Sequence, residues 1–108
     1  MIDIDARARD RLIVLVGFYH AANGNTRTPF LPSIVQEALG WNDDRFQDAY
    51  DWVTDCKCIE QRTFAPEHFL TKHGRDSAEK AMIETKRATQ ELEAAKRPTV
   101  DYRPGNYI

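Results

Sequence analysis

The sequence predicts a mainly helical α+β domain, with three core helices, a small β-hairpin and a long C-terminal helix. Three observations support this fold class. Apolar residues recur at helical spacing through most of the first half of the chain, which is typical of helices that bury one face. Residues 58–71 carry strand-forming residues around a proline turn. Residues 72–97 are almost entirely helix formers and end at Pro98.

Length and composition predict one soluble domain. The chain has 108 residues, of which 42% are hydrophobic and 30% charged, and both values are ordinary for a globular protein. The longest apolar run, residues 12–16, is too short to span a bilayer, and no signal segment precedes it. We therefore expect a cytoplasmic protein with no membrane partner. The net charge of −2 neither favours nor excludes nucleic acid.

The first predicted helix runs from a cap at Asp5 to the Asn23-Gly24 dipeptide. Its buried face is formed by residues at helical spacing, namely Leu12, Leu15, Val16, Tyr19 and Ala22. A buried strand is the alternative for the apolar run, because isoleucine and valine are frequent in it. The Ala- and Arg-rich lead-in favours a helix. Gly17 would let another element approach this helix closely.

The segment at residues 23–29 is a predicted loop, because it consists mainly of Asn, Gly, Thr and Pro. We expect it to hold a short edge strand that pairs with the hairpin further along the chain. Two helices follow the loop.

Two short helices are predicted on either side of a tight corner. Pro32 suits the first position of one helix, and Gly40 suits the left-handed position after its last turn. Asn42 or Asp43 caps the next helix. The buried face of that helix is formed by Phe46, Ala49, Tyr50, Val53 and Cys56. Two helices joined by a three-residue turn containing glycine form a helix-turn-helix arrangement.

The hairpin is predicted from residues 58–64 as one strand, residues 65–68 as a turn and residues 69–71 as the returning strand. Thr71 can then cap a helix that starts at Lys72.

The chain resembles a winged helix-turn-helix domain over about residues 5–80. The resemblance rests on four segments: Ile34–Trp41, Ala49–Val53, Cys58–Glu60 and Leu70–Arg75. These are packing motifs, so they imply a fold. Lys57 is a departure, because such domains usually have a glycine between the second helix of the motif and the strand. A lysine at this corner must accept a left-handed conformation or change the path of the chain.

The C-terminal helix is predicted to cover residues 72–97, a length of about 39 Å. A heptad seam runs along it through Ala78, Ala81, Thr85, Ala88, Leu92 and Ala95. The helix therefore either forms a homodimer or packs on its own domain. We divide the chain into a domain at residues 1–77, an extension at 78–97 and a non-helical tail at 98–108. The tail is either the start of a further part of a longer protein or an arm that docks on a partner.

The resemblance to winged helices implies DNA binding, because the second helix of the motif often enters the major groove and the wing touches the backbone. Transferred to this sequence, Arg45 and Gln47 are the expected base contacts, and Arg62 and Arg75 the expected phosphate contacts. The remaining members of the cationic cluster on the wing and the following helix are His68, Lys72 and His73.

The charge of the helix at residues 43–55 favours a different function. It contains five aspartates and one arginine, a sum of −4, whereas affinity for DNA comes largely from basic residues. The alternative is a protein-interaction module that meets a basic partner through this helix. Its expected contact residues are Asp44, Asp48, Asp51 and Asp55.

No enzyme signature or cofactor motif is present in the sequence. Cys56 and Cys58 are too close in sequence for an unstrained disulfide, and the scattered histidines do not complete a metal site with them. We therefore expect structural cysteines, with a redox or metal pair as the alternative. No catalytic residue, cofactor or metal is predicted.

Overall fold

The computed structural model describes residues 3–96. They form α1 (Ile4–Ala21), α2 (Pro32–Leu39), α3 (Asp43–Asp55), β1 (Ile59–Glu60), β2 (Phe69–Leu70) and α4 (Lys72–Lys96). The predicted class, α+β and mainly helical, is confirmed. Within the described part, no helix has the length and apolarity needed to cross a bilayer. The predicted tail at residues 98–108 lies outside the described residues.

The start of α1 differs by two residues from the prediction. The cap is Asp3, whose side chain accepts a hydrogen bond from the Ala6 amide at 3.0 Å, and Asp5 lies inside the first turn. Both aspartates suit a helix N-terminus, so the sequence alone did not separate them. The close approach expected at Gly17 is confirmed, because a Cβ there would lie 2.8 Å from Cγ1 of Val35 in α2.

The two helices of the corner have the predicted limits. Pro32 is the first residue of α2, and Gly40 follows the helix with φ 70°. Asn42 caps α3, since its side chain accepts a hydrogen bond from the Arg45 amide at 2.9 Å. Lys57, at the corner after α3, adopts the left-handed conformation with φ 63°, which a glycine would adopt with less strain.

The hairpin is shorter than predicted. Only Ile59 pairs with Leu70 and Glu60 with Phe69, in antiparallel register. The residues after Glu60 bond within the loop: the side-chain amide of Gln61 donates to the Ala65 carbonyl at 3.1 Å, and the Thr63 hydroxyl accepts from the Ala65 backbone amide at 3.1 Å.

The edge strand expected within residues 23–29 does not form, and a single bridge at Phe30, just after this loop, pairs with the hairpin instead. The amides and carbonyls of Phe30 and His68 bond to each other at 2.9 and 2.8 Å. The loop itself stays irregular because Asn25 accepts from the Arg27 amide at 2.7 Å and Pro29 has no amide proton to donate.

The hairpin and α4 are joined tightly through Thr71. Its hydroxyl donates to the Lys57 carbonyl at 2.6 Å and accepts from the Gly74 amide at 2.9 Å, which confirms the predicted cap of α4. The Thr71 amide also donates to the Cys58 carbonyl at 2.9 Å. At Gly74 the helix backbone lies so close to Cys58 that any Cβ would collide with the Cys58 carbonyl oxygen.

Phe18 of α1 is the centre of the core and is fully buried. Its ring centroid lies 5.0 Å from that of Phe30, 6.2 Å from that of Phe46 and 6.4 Å from that of Tyr50. The aromatic cluster therefore connects α1, the bridge residue and α3. α1 also packs against α4, so it is the element to which the other helices attach.

Candidate functional site

The exposed side of α3 is an acidic surface. α3 buries Phe46, Ala49 and Val53 on one side. The opposite side presents exposed residues that we call the acidic face: Asp44, Gln47, Asp51, Thr54 and Asp55. This surface carries three carboxylates and no cation. All the aspartates predicted for protein interaction lie on it except Asp48.

Asp48 is half-buried and belongs to a different contact. Its carboxylate lies 3.4 Å from Nε of Arg7 in α1. Its charge is thus partly neutralised within the domain. The predicted interaction set is therefore divided by the structure. Asp48 pairs with α1, and Asp44 borders the same groove beside Arg7 and Arg45. Asp51 and Asp55 point away from the core.

Arg45, the only basic residue of α3, is held against α1. Its guanidinium makes two hydrogen bonds of 2.8 Å to the Asp10 carboxylate and lies 3.8 Å from the centre of the Trp41 ring. The bonds from Arg45 hold the pKa of Asp10 below its ordinary value. A base contact by Arg45 would require this two-bond ion pair and the stacking on Trp41 to break.

The second predicted base reader, Gln47, is exposed on the acidic face, and its amide donates to the Asp51 carboxylate at 2.7 Å. Gln47 therefore lies among carboxylates rather than among cations. The structure does not place it with Arg45, whose guanidinium contacts α1.

The wing cations occupy the hairpin and the first turn of α4. Arg62 pairs with Glu60 at 2.9 Å and lies 4.3 Å from the centre of the Phe69 ring. Arg75 pairs with Asp76 at 3.2 Å. Lys72 and His73 are exposed, and their side chains make no hydrogen bond or ion pair within residues 3–96. Two of the predicted phosphate contacts are thus already paired with carboxylates.

His68 is a core residue, which corrects its assignment as a DNA contact. It is 8% exposed. Nδ1 lies 2.9 Å from the Pro66 carbonyl and Nε2 lies 2.7 Å from the Tyr50 hydroxyl. The carbonyl can only accept, so Nδ1 carries a proton and donates to it, while Nε2 shares a hydrogen bond with the Tyr50 hydroxyl. Nε2 thus joins the hairpin to α3, and Nδ1 fixes the ring within the hairpin itself.

The cysteines differ in their surroundings. Cys58 is 1% exposed, whereas Cys56 is half-buried. Burial, together with the neighbouring Cys56, raises the pKa of the Cys58 thiol from 9.0 to about 11. Among the described residues, no three His, Cys, Asp or Glu side chains come together as a metal site.

We expect iodoacetamide at pH 8 to alkylate Cys56 in the native protein and to leave Cys58 unmodified, because only the thiolate reacts and Cys58 stays protonated and covered. Mass spectrometry of peptides separates the two sites, and the urea-unfolded chain, where both should react, is the control.

The unfolded thiol ionises near 9.0 and the buried one near 11. Stability should therefore fall as the pH rises through that interval.

Two features of the surface were not predicted from the sequence. Phe64, expected inside a strand, is fully exposed in the hairpin loop. An apolar cleft opens between α1 and α4, and it includes Leu12 and Ile13, each 42% exposed. The ion pair between Asp10 and Arg45 could not be predicted from the sequence either, because 35 residues separate them.

No protein-family model matches the chain, and comparison with curated proteins and with solved structures likewise finds no match. The functional conclusion therefore rests on the chemistry of the surfaces described above.

Proposed function

We propose that the chain is a winged-helix protein-interaction module that binds a basic partner through the acidic face of α3. The order of three helices, a hairpin and a further helix supports the winged-helix assignment, as does the bridge from Phe30 to the hairpin. The observation that carries the function is the placement of Arg45. Arg45 stays half-exposed, but its guanidinium is bound to Asp10 and lies over Trp41, so the one positive charge of α3 is already paired within the domain.

The electrostatics of the acidic face disfavour DNA. Duplex DNA carries one negative charge per about 1.7 Å of its axis, and binding is driven largely by cations that displace counterions. A helix that presents Asp44, Asp51 and Asp55 would bring three carboxylates towards the phosphates. A lysine- or arginine-rich protein segment would instead find complementary charge, which speeds association and weakens with salt.

DNA binding led by the wing is the second candidate. It is supported by Lys72 and His73, which are exposed in the first turn of α4 and lie next to the hairpin that carries Arg62. In this alternative the hairpin contacts phosphates and α3 faces away from the duplex.

The two candidates are separated by fluorescence anisotropy with two labelled probes, a lysine- and arginine-rich peptide and a mixed-sequence duplex, at low and at physiological salt. We expect the peptide to bind and the duplex not to bind. The double variant Asp51→Lys with Asp55→Lys should weaken peptide binding by about tenfold or more. Lysine near the C-terminus of α3 suits the helix dipole, so folding should be unaffected.

The matched control is Glu37→Lys with Glu93→Lys. It makes the same change in net charge on exposed positions of α2 and α4, away from α3, and should leave most of the peptide affinity. An equal loss in both double variants would show that only net charge matters and would contradict the proposed face. Salt-sensitive duplex binding that is lost in Lys72→Ala with His73→Ala would establish the second candidate instead.

A further inference from the structure

The second unpartnered surface of the protein is an apolar cleft between α1 and α4. The two helices are joined where the Tyr19 hydroxyl donates to the Glu79 carboxylate at 2.8 Å. Further along α4 they enclose a cleft of ≈ 420 Å³, whose lining residues are Leu12, Ile13, Val16, Ala81, Met82, Thr85 and Lys86. Most of this lining is aliphatic, so water in the cleft contacts mainly apolar side chains.

The part of α4 beyond the cleft lacks a packing partner within residues 3–96. Residues 87–95, which follow the last residue of the cleft lining, are all exposed, a helical length of about 14 Å. A helix of this length is marginal in water when nothing packs on it. The whole segment, and not just one of its side chains, therefore lacks a packing partner among the described residues.

The uncovered segment continues the face with which α4 packs on its own domain. Gly74 and Ala78 are buried on that face, nearest the hairpin. From Ala78 the same stripe proceeds at spacings of three and four through Ala81, Thr85, Ala88 and Leu92. Leu92 is 54% exposed. α1 thus covers the beginning of an apolar stripe whose remainder is left open.

We propose that a second copy of this chain covers the cleft and the open stripe, so that the protein is a homodimer with two parallel α4 helices. A 3-4 repeat of apolar residues is self-complementary, because each seam residue packs against the seam of an identical helix. The parallel orientation follows from charge. Glu84 and Glu91 lie seven residues apart on one flank of the seam, and an antiparallel pair would place these glutamates opposite each other.

Leu12 and Ile13 of α1 are part of this interface. The seam alone is dominated by alanine and threonine and buries little apolar area, whereas a stable interface buries about 800 Å² per partner. Parallel pairing of the α4 helices brings the two clefts together at the start of the seam. The larger side chains Leu12, Ile13 and Met82 then add the area that the seam lacks.

Sedimentation equilibrium over a series of protein concentrations tests the dimer. We expect a dimer at high micromolar protein concentration. Leu12→Glu and Leu92→Glu should each weaken the affinity of the dimer by about 100-fold. Both residues are partly exposed, so the monomers should remain folded, which circular dichroism verifies. The control is Ile83→Glu: Ile83 is 60% exposed but lies on the opposite side of α4, with Asp76, Glu79, Lys80 and Arg87.

Oxidation of the Thr85→Cys variant in a Cys56→Ser background tests the orientation, since equivalent seam residues face each other only in a parallel pair. A covalent dimer is expected, and its absence would overturn the parallel arrangement. Monomeric wild-type protein, or equal weakening by Ile83→Glu and Leu92→Glu, would overturn the interface. If the full chain is a monomer and dimerises only when residues 97–108 are removed, the cleft is covered by those residues of the same chain. That result would also overturn the proposed dimer.

The proposal is independent of the acidic face, because no residue of the cleft or the stripe belongs to α3. Leu92→Glu should therefore abolish dimerisation while the basic peptide still binds. Conversely, Asp51→Lys with Asp55→Lys should weaken peptide binding in a protein that remains a dimer.

Discussion

Replacing Gly74 with alanine is expected to lower the free energy of unfolding by about 3 kcal/mol or more, because the added Cβ collides with the Cys58 carbonyl oxygen. That oxygen belongs to the backbone and accepts the Thr71 amide at 2.9 Å, so it cannot rotate away as a side chain would. Relief of the collision requires α4 to move from the corner after α3. Urea denaturation followed by circular dichroism measures the loss.

The sign of this effect distinguishes close packing from helix propensity. Gly74 lies inside α4, where alanine is intrinsically favoured over glycine by about 1 kcal/mol, so propensity alone predicts stabilisation. Gly40 is the matched control, because it has φ 70° but a Cβ added there would meet no atom within 4 Å. Alanine there should cost about 1 kcal/mol through conformation alone. A stabilised Gly74→Ala protein would contradict the close contact between α4 and Cys58.

Replacing Phe18 with alanine is expected to cost about 4 kcal/mol of stability, since a fully buried ring that contacts three other aromatic rings leaves a cavity. A domain of this size is stable by about 5–15 kcal/mol, so a large share of the folding free energy depends on one side chain. Thermal unfolding and urea denaturation measure the loss.

The control for this prediction is Phe18→Leu, which keeps most of the apolar volume and should cost clearly less than alanine. If alanine and leucine were equally harmful, the aromatic contacts rather than the filled volume would set the stability. If both were harmless, Phe18 would not be the centre of the core.

Local chemistry made much of the fold predictable. Pro32, Gly40, Asn42 and Thr71 act through the few residues around them, so the limits of α2 and α3 and the start of α4 could be read from the sequence. The left-handed Lys57 was one of the two outcomes expected at this corner, because the corner needs a φ that glycine usually supplies. Asp3 was missed because two aspartates near the start of α1 are equivalent by local criteria.

The candidate surfaces were only partly predictable, because they depend on contacts between distant residues. The acidic face follows from helical spacing within α3 and was expected from the sequence. The binding of Arg45 to Asp10, the burial of His68 and the cleft beside Leu12 each require knowledge of which elements are neighbours. Charge composition could not show that the one cation of α3 is used inside the domain.

The bridge between Phe30 and His68 also bears on how the chain folds. β1 and β2 join residues 9 to 11 positions apart, and the helices close through bonds between neighbouring residues, whereas the bridge joins residues 38 positions apart. Closing a longer loop costs more chain entropy, and folding slows as contacts become less local. We therefore expect the bridge to form after the local elements, so that its loss should speed unfolding more than it slows folding.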